Sequence, residues 1–276
     1  MPAPFFYNYV MDLQKTLTTA VSIAKEAGAL LRDGFRQNKN IIQKSSAIDL
    51  VTQYDQDAEK LITTRLILAF PKHGIIGEEG SDLAAKDNSY VWYVDPIDGT
   101  TNFAHGFPHF CVSLALYTAE TPLVAVIYDP IKEELFTAVA GYGAHVTQGE
   151  GAPRPLQVSQ AETLLHSVIA TGFPYDRHTS DVDNMAEVGR FIKKVQGLRR
   201  PGSAALDLAY VAAGRLDGYW EYKLHIWDVA AGVLLVQEAG GRIAMMNGDP
   251  FTPTARLNLM ASNHKIYREM LDTLAG

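Results

Sequence analysis

The sequence contains very little cysteine and no long hydrophobic run. Its single cysteine, Cys111, lies in the apolar stretch FCVSLALY, so we expect a small buried side chain and not a nucleophile. No apolar run approaches the ~18 residues of a membrane-spanning helix, and residues 1–14 lack the cationic and apolar regions of a signal peptide. We therefore expect neither secretion nor membrane insertion, and a reducing cytoplasm as the compartment.

Positive charge is also scarce. The chain has 24 Lys and Arg residues against 31 Asp and Glu residues, a net charge of −7, and no basic stretch that could follow a phosphodiester backbone. Nucleic acid is therefore not expected as the main ligand. Because the overall field repels anions, a small anionic substrate would need local positive charge from metal ions, helix N-termini or a few side chains.

The hydrophobic pattern predicts one domain over residues 1–276, with a soft boundary near residue 150. Helical spacing predicts one helix over residues 10–35 and another over residues 55–70. Short apolar runs then predict a largely antiparallel sheet up to about residue 150. Beyond it, strand patterns (HSVIATG, DGYWEY, GRIAMM, LNLMASN) alternate with helical ones (around DVDNMAEVGRFIKKV, SAALDLAYVAAG, DVAAGVLLVQEAG and the C-terminus), which predicts an α/β second half.

Acidic residues stand at the ends of apolar strands in four places. Ionised side chains are costly to bury unless something pairs with them, so a cation or a set of donors is expected there. Oxygen ligands on loops suit Mg²⁺ or Mn²⁺, and the lack of nearby Cys or paired His argues against zinc. Taken singly, each group has a structural alternative as a helix N-cap or a turn. The groups are Asp49 with Asp55, Glu78 with Glu79, Asp95 with Asp98, and Asp228.

The stretch WYVDPIDGTTN carries the most specific pattern. Residues 91–94 predict a buried strand, and residues 95–98 are predicted to turn so that two carboxylates and the Ile97 carbonyl converge on a metal. Residues 99–101 would present N–H groups to a phosphate, and the Thr100 hydroxyl is placed to hold a water. Metal ions beside a phosphate cradle describe a phosphoryl-transfer site.

These motifs closely resemble those of the inositol monophosphatase family, within the lithium-sensitive, magnesium-dependent sugar-phosphatase superfamily. The resemblance covers nearly the whole chain. It implies a layered αβαβα sandwich, hydrolysis of myo-inositol 1-phosphate, inhibition by lithium and a homodimer. The matching stretches are DLVTQYD (49–55), IGEE (76–79), WYVDPIDGTTNF (92–103), GSAAL (202–206) and WDVAAG (227–232).

The resemblance implies a set of ligands for two to three Mg²⁺ ions, with Mn²⁺ as a possible substitute. Glu78, Asp95 and the Ile97 carbonyl would bind the activating ion. Asp95, Asp98 and Asp228 would bind a second ion beside the leaving oxygen, and a third ion would share Glu78.

The resemblance also implies how the attacking water is held. Thr100 and Glu78 would position it, and Asp55 would orient the Thr100 hydroxyl. The water would attack phosphorus directly, without a phosphoenzyme. Lys44 matches a family lysine near the metal-bound water, although a lone lysine is more often solvated.

For the substrate, Glu221 matches the family residue that accepts hydrogen bonds from inositol hydroxyls; alternatively, it is a surface acid at a strand end. Residues 171–174 stand where some members carry a substrate-contacting serine, so sugar contacts there are expected to differ. Trp92, Trp220 and Trp227 are expected in the core. The other substrate-binding residues implied by the resemblance are Asp98, Gly99, Thr100, Gly202, Ser203 and Ala204.

Several alternatives remain open at this stage. A haloacid-dehalogenase-type phosphatase has two aspartates spaced by two, whereas Asp95 and Asp98 are spaced by three. Fructose-1,6-bisphosphatase and 3′-phosphoadenosine 5′-phosphate phosphatase use a similar metal site, and Arg199 and Arg200 could serve a second phosphate. A protein-binding regulator that retains the phosphatase site is a fourth alternative.

Overall fold

The computed structural model describes residues 11–37, 39, 41–43, 50–86 and 90–276. None of the helices in these ranges has both the length and the apolar character needed to cross a bilayer. The helices are α1 Leu13–Gly34, α2 Gln53–Ala69, α3 Thr100–His105, α4 Met185–Phe191, α5 Ala204–Ala212, α6 Ile226–Glu238 and α7 Tyr267–Ala275. The strands are β1 Ile41–Gln43, β2 Leu50–Thr52, β3 Gly74–Gly77, β4 Asp82–Leu83, β5 Val91–Asp98, β6 Cys111–Thr118, β7 Thr121–Asp129, β8 Glu134–Val139, β9 Ala144–Gln148, β10 Arg154–Pro155, β11 Val168–Thr171, β12 Gly197–Arg199, β13 Gly218–His225, β14 Arg242–Met245 and β15 Arg256–Ser262.

The first large sheet has eight strands in the order β10-β9-β8-β7-β6-β5-β3-β4. Consecutive strands pair antiparallel from β5 to β10, which confirms the predicted antiparallel sheet. The exception lies at β3, which runs parallel to β5. That parallel pair places the ends of β3 and β5 at one edge of the sheet, where the acidic motifs begin.

The second large sheet has five strands in the order β12-β11-β13-β15-β14. Here β11 is parallel to both β12 and β13, whereas β15 is antiparallel to its two neighbours. The α/β second half predicted from the sequence is thus a mixed sheet with helices between its strands.

Helices and sheets alternate in five layers. The first pair, α1 and α2, covers one face of the large sheet, while α5 and α6 fill the space between the two sheets. The last pair, α4 and α7, covers the outer face of the five-stranded sheet around Trp220. The predicted αβαβα sandwich is confirmed.

The stretch FCVSLALY is continuously apolar because β6 is buried on both faces. Val112 and Leu114 pack in the cluster that contains α1 and α2. Cys111 and Ala115 point the opposite way, into the cluster that contains α5 and α6. Burial raises the pKa of the Cys111 thiol well above its usual range, which confirms that the residue is a buried side chain and keeps the thiol protonated.

Two predicted elements have different bounds in the structure. The helix predicted around residues 181–195 is only α4, Met185–Phe191, because Asn184 has φ = 72° and begins the helix from the left-handed region. The strand predicted over residues 91–94 continues to Asp98. The predicted turn at residues 95–98 is therefore wrong: the chain stays in the ladder and absorbs one extra residue as a bulge between Asp95 and Asp98.

Candidate active site

A cleft of about 820 Å³ opens where the two sheets meet the N-terminal ends of α5 and α6. It collects residues that are distant from one another in the sequence, from Glu78 to Asn258. Asp55 is not among its lining residues, because it lies behind Thr100. The predicted site residues that line the cleft are Glu78, Asp95, Ile97, Asp98, Gly99, Thr100, Gly202, Ser203, Ala204, Glu221 and Asp228.

The parallel pairing of β3 and β5 brings Glu78 beside Asp95. The Glu78 N–H donates to the Val94 carbonyl at 3.2 Å, so the residue after β3 sits next to the first aspartate of β5. The two carboxyl groups share a hydrogen bond. Loss of water, then the charges of Glu78, Asp98 and Asp228, raise the pKa of Asp95 well above its usual range.

The bulge in β5 turns Asp98 toward the N-terminus of α5. Its Oδ2 accepts hydrogen bonds from the Ser203 hydroxyl and the Ala205 N–H, both at 2.6 Å, and its Oδ1 accepts from the Ala204 N–H at 3.2 Å. Burial raises the pKa of Asp98 to about 6, although these donors act in the opposite direction. The contact fixes the loop at Gly202 against the end of β5.

Asp228 enters the cleft from the first turn of α6. It is not the N-cap, as one alternative had it: His225 occupies that position, and Asp228 accepts the His225 N–H at 2.7 Å. Loss of water, then the charges of Glu78 and Asp98, raise the pKa of Asp228 well above its usual range. Three aspartates and Glu78 thus oppose one another's ionisation in the same cleft.

Asp55 and Thr100 form a second, buried unit. Asp55 is the third residue of α2, not its N-cap; Thr52 caps the helix and donates to Asp55 Oδ2 through its N–H and its hydroxyl, each at 2.7 Å. Asp55 Oδ1 accepts the Thr100 hydroxyl at 2.8 Å, and the Ile97 carbonyl lies 3.0 Å from the same hydroxyl. Gly99, at φ = 102°, brings this segment within contact of the Gly202 loop.

Glu221 lies in the same cleft on the irregular part of β13. The Tyr219 hydroxyl donates to Glu221 Oε2 at 2.6 Å. Burial raises the pKa of Glu221 to about 7, against the opposing effects of Tyr219 and of the positive charge of Arg200. Glu221 is therefore a cleft residue, and the alternative of a surface acid at a strand end is wrong.

The raised pKa of Glu221 predicts a pH-dependent gain in stability for Glu221→Gln. In the folded protein the proton is held up to pH about 7, against 4.5 for the ordinary group. The stability contributed by that proton is complete below pH 4.5 and is lost as the pH rises toward 7. The free energy of unfolding of the variant, compared with that of wild type, should therefore be more favourable at pH 8 than at pH 4.5 by roughly 2–3 kcal/mol. Denaturant unfolding in EDTA at both pH values tests this, and a pH-independent difference would contradict it.

Several cleft residues are not marked by any sequence motif. Asp207, on α5, is 2% exposed, and its Oδ1 has no hydrogen-bond partner; burial, then Glu221 and Asp98, raise its pKa. Tyr175 stands half exposed at the mouth of the cleft. Arg200, which the sequence offered as a candidate for a second phosphate, lines the cleft; Arg199 is not among the lining residues.

The remaining sequence predictions concern Lys44, Asp49 and the three tryptophans. Lys44 and Asp49 lie outside the described residues, so their roles stay predictions. Trp92 and Trp220 are fully buried, as expected. Trp227 is partly buried: it packs against the core cluster between the two sheets and also lines the cleft, with its ring stacked on His225 at a centroid distance of 4.4 Å.

The donor chemistry of the cleft fits a hard divalent cation. Its acidic groups offer only oxygen atoms, and Asp95 Oδ1 is buried without a hydrogen-bond partner. Within the described ranges, no three His, Cys, Asp or Glu side chains are grouped closely enough to hold an ion as they stand. A bound cation would offset both the burial and the mutual repulsion that raise the pKa values of these carboxyl groups. The candidate ligands are Glu78, Asp95, the Ile97 carbonyl, Asp98 and Asp228.

The sequence profile of the inositol monophosphatase family matches residues 12–275. An inositol-1-monophosphatase from Synechocystis is 41% identical over 266 residues, covering 96% of this chain and 90% of that protein. A protein named Nus factor SuhB from Pseudomonas aeruginosa is 40% identical over 267 residues, covering 95% of this chain and 96% of that one.

Solved structures of both groups of relatives also resemble this chain. The inositol monophosphatase from Anabaena (Nostoc) superposes with a TM-score of 0.84 at 41% identity, covering 96% of this chain and 97% of that chain. The extragenic suppressor protein suhB from Bartonella henselae superposes with a TM-score of 0.85 at 39% identity, covering 94% and 98%. The fold is thus common to both groups of relatives.

Proposed function

The chain belongs to the inositol monophosphatase family, and on that premise we propose that it is a Mg²⁺-dependent phosphomonoesterase that hydrolyses myo-inositol 1-phosphate. The observation that carries the proposal is a single cleft with four carboxylates, a buried Asp55–Thr100 unit and Glu221. A phosphatase of this family acts on a small phosphate ester, so a small-molecule substrate follows from membership alone. The metal, the inositol ester and the residue roles are the proposed part.

In the proposed mechanism, Thr100 and Glu78 hold the attacking water. Asp55 accepts a hydrogen bond from the Thr100 hydroxyl, which leaves the lone pairs of the Thr100 oxygen free to accept a hydrogen bond from the water. The N–H groups of residues 99–101 face the phosphate oxygens and hold the ester in line with the water. Glu78, Asp95, the Ile97 carbonyl, Asp98 and Asp228 would hold Mg²⁺, which supplies charge neutralisation and a lowered pKa for water when bound.

Direct attack by water is favoured over a covalent aspartyl-phosphate. Asp98 already accepts three hydrogen bonds from Ser203, Ala204 and Ala205, which fix both of its oxygens. Burial and the neighbouring charges of Glu78, Asp98 and Asp228 raise the pKa of Asp95, so the metal-free cleft disfavours the ionised form that a nucleophile needs. Failure to trap an aspartyl-phosphate with fluoride-based phosphate analogues is the expected result.

Glu221 gives the proposal its polyol specificity. A partly buried carboxylate that accepts one hydrogen bond from the described residues, that of Tyr219, retains lone pairs for substrate hydroxyls. An analogue that lacks those hydroxyls would leave the carboxylate unpaired, which is a strong basis for discrimination. Ala204 and Gly202 line the same cleft.

Phosphate release by the purified protein tests the proposal. The panel is myo-inositol 1-phosphate, fructose 1,6-bisphosphate, 3′-phosphoadenosine 5′-phosphate and glycerol 2-phosphate, each with Mg²⁺, with Mn²⁺ and with EDTA. Asp98→Asn is the blank, checked for folding by its thermal unfolding. We expect Mg²⁺-dependent release with the inositol ester preferred at least about tenfold, a ratio worth about 1.4 kcal/mol. Equal rates on all four esters would contradict the role of Glu221.

A bisphosphate is the second candidate substrate. Three cationic side chains, Arg200, Lys223 and Arg256, line the cleft and could meet a second phosphate. Lys223 already pairs with Asp176 at 2.7 Å, which leaves the two arginines as the stronger candidates. Activity confined to the bisphosphates in the same panel would favour this alternative and retain the metal chemistry.

A regulatory role is the third candidate, and it comes from a different class of function. It is supported by relatives named Nus factor SuhB at about 40% identity. A strain that carries Asp95→Asn separates the two roles, because that change removes a proposed metal ligand without altering the surface. A normal cellular phenotype would favour binding, and loss of the phenotype would favour catalysis.

A further inference from the structure

One face of α2 reaches both of the elements proposed to hold the attacking water. Asp55, Glu59 and Thr63 follow one another at intervals of four residues, so they lie along the same side of the helix. Asp55 accepts the Thr100 hydroxyl at 2.8 Å. The other two residues contact the turn between β3 and β4, which carries Glu78.

Glu59 makes the closest contacts with that turn. Its side chain is 3% exposed, and its two carboxylate oxygens each accept one backbone N–H: Glu79 at 2.7 Å and Ser81 at 2.9 Å. Thr63 adds a hydroxyl contact to the Ser81 hydroxyl at 3.1 Å. The turn is thus attached to α2 on both sides of Gly80.

The chain before Glu78 is shaped for this contact. A Cβ at Gly77 would lie 2.6 Å from Glu59 Oε2, so only glycine lets the strand pass the carboxylate at this distance. The Gly77 N–H donates to the Ser81 carbonyl at 2.7 Å and closes the turn. Glu78 therefore has its backbone fixed on one side by β5 and on the other by Glu59.

We propose that Glu59 is a positioning residue for the metal site, which holds Glu78 at a fixed distance from Thr100 through the rigid body of α2. The inference rests on the proposed function, in which Glu78 binds Mg²⁺ and Thr100 and Glu78 share the water. Asp55 sets the position of Thr100, and Glu59 sets the position of Glu78, one helical turn apart on the same helix. Removing a group that orients a metal ligand in this way typically lowers the metal affinity about 10–100-fold.

The experiment compares Glu59→Ala and Glu59→Gln with wild type and with Glu26→Gln. Glu26→Gln is the matched control, because Glu26 is an exposed carboxylate on α1 whose partner, Arg65, lies on α2. Mg²⁺ affinity is measured by titration calorimetry and by the Mg²⁺-induced rise in Tm. Hydrogen exchange of the segment 76–82 reports the turn itself, and phosphate release against Mg²⁺ concentration gives kcat and half-saturation separately.

We expect Glu59→Ala to weaken Mg²⁺ binding at least about tenfold, to accelerate exchange in residues 76–82, and to keep kcat at saturating Mg²⁺ within about threefold of wild type. Glu59→Gln retains one acceptor oxygen, so its Mg²⁺ affinity and its exchange rate in residues 76–82 should lie between those of wild type and Glu59→Ala. This variant remains informative if the alanine variant does not fold. A fall in Tm with unchanged Mg²⁺ affinity in both variants would overturn the inference. A wild-type protein that binds Mg²⁺ but hydrolyses no ester would instead refute the proposed function, and the Mg²⁺ measurements would still test Glu59.

Discussion

Asp95→Asn should abolish nearly all phosphate release while making the metal-free protein more stable. We expect a loss of at least about 1,000-fold in kcat/KM, or about 4 kcal/mol of transition-state stabilisation. In the proposed mechanism Asp95 is the one side chain that would contact both principal ions. Replacing it with a neutral amide removes a ligand from each, so the loss should exceed that of any single-ion ligand.

The opposite effect on stability has a separate cause. Loss of water and the charges of Glu78, Asp98 and Asp228 raise the pKa of Asp95, so the metal-free fold disfavours its ionised form. The stability that protonated Asp95 contributes is present at low pH and is lost as the pH rises through its raised pKa. Asparagine removes that loss, and Tm in EDTA at pH 8 should rise by a few degrees.

The measurements are steady-state kinetics and thermal unfolding, each with Mg²⁺ and with EDTA. Wild type should gain stability with Mg²⁺, by about 2.7 kcal/mol at a concentration 100 times Kd, and Asp95→Asn should gain far less. Asp57→Asn, at an exposed position near the N-terminal end of α2, is the matched control and should behave as wild type. A variant with normal activity, or one with a full Mg²⁺ response, would refute the ligand role of Asp95.

The candidate site was largely predictable because its residues occur at the ends of strong local patterns. Asp95 and Asp98 end a largely buried strand, and Asp228 lies in the first turn of an apolar helix, so both patterns are visible in the local sequence. Burial of β6 on both faces likewise follows from its continuous apolar run. These features depend on local sequence, and the structure agrees with them.

The features that could not be predicted from the sequence depend on contacts between distant segments. The bulge between Asp95 and Asp98 is a property of the pairing of β5 with β6, so the local signals of proline and glycine suggested a turn instead. Asp207 reaches the cleft only because α5 packs between the sheets; its own surroundings are those of an ordinary amphipathic helix. Glu59 has the same character, since its partners Glu79 and Ser81 lie 20 and 22 residues away in the sequence.

The Asp55–Thr100 unit gives the second large prediction. Thr100→Val keeps the shape of the side chain and removes the hydroxyl, so the proposed water loses its acceptor. We expect a loss of about 10²–10⁴-fold in kcat, the range found for groups that move or hold a proton in the transition state. Thr100→Ser, which restores a hydroxyl, should recover most of it.

Asp55→Asn tests whether the two residues act together. The amide keeps one oxygen, which can serve either Thr52 or Thr100 but not both, so the variant should lose activity and about 1 kcal/mol of helix-cap stability. Because Asp55 acts through Thr100, the double variant should be no slower than Thr100→Val alone. The stability losses, which come from different contacts, should instead add.

The measurements are kcat, KM and the Mg²⁺-induced change in Tm for wild type, Thr100→Val, Asp55→Asn and the double variant, which together form a double-mutant cycle. Neither single variant removes a proposed metal ligand, so all four should retain the wild-type Mg²⁺ response, which distinguishes this unit from Asp95. Thr64→Val is the matched control, because the Thr64 hydroxyl is exposed and donates only to the Lys60 carbonyl one turn earlier. If the losses in kcat multiplied, Asp55 would act on the reaction independently of Thr100, and the assignment of the hydroxyl as the group that holds the water would have to be abandoned.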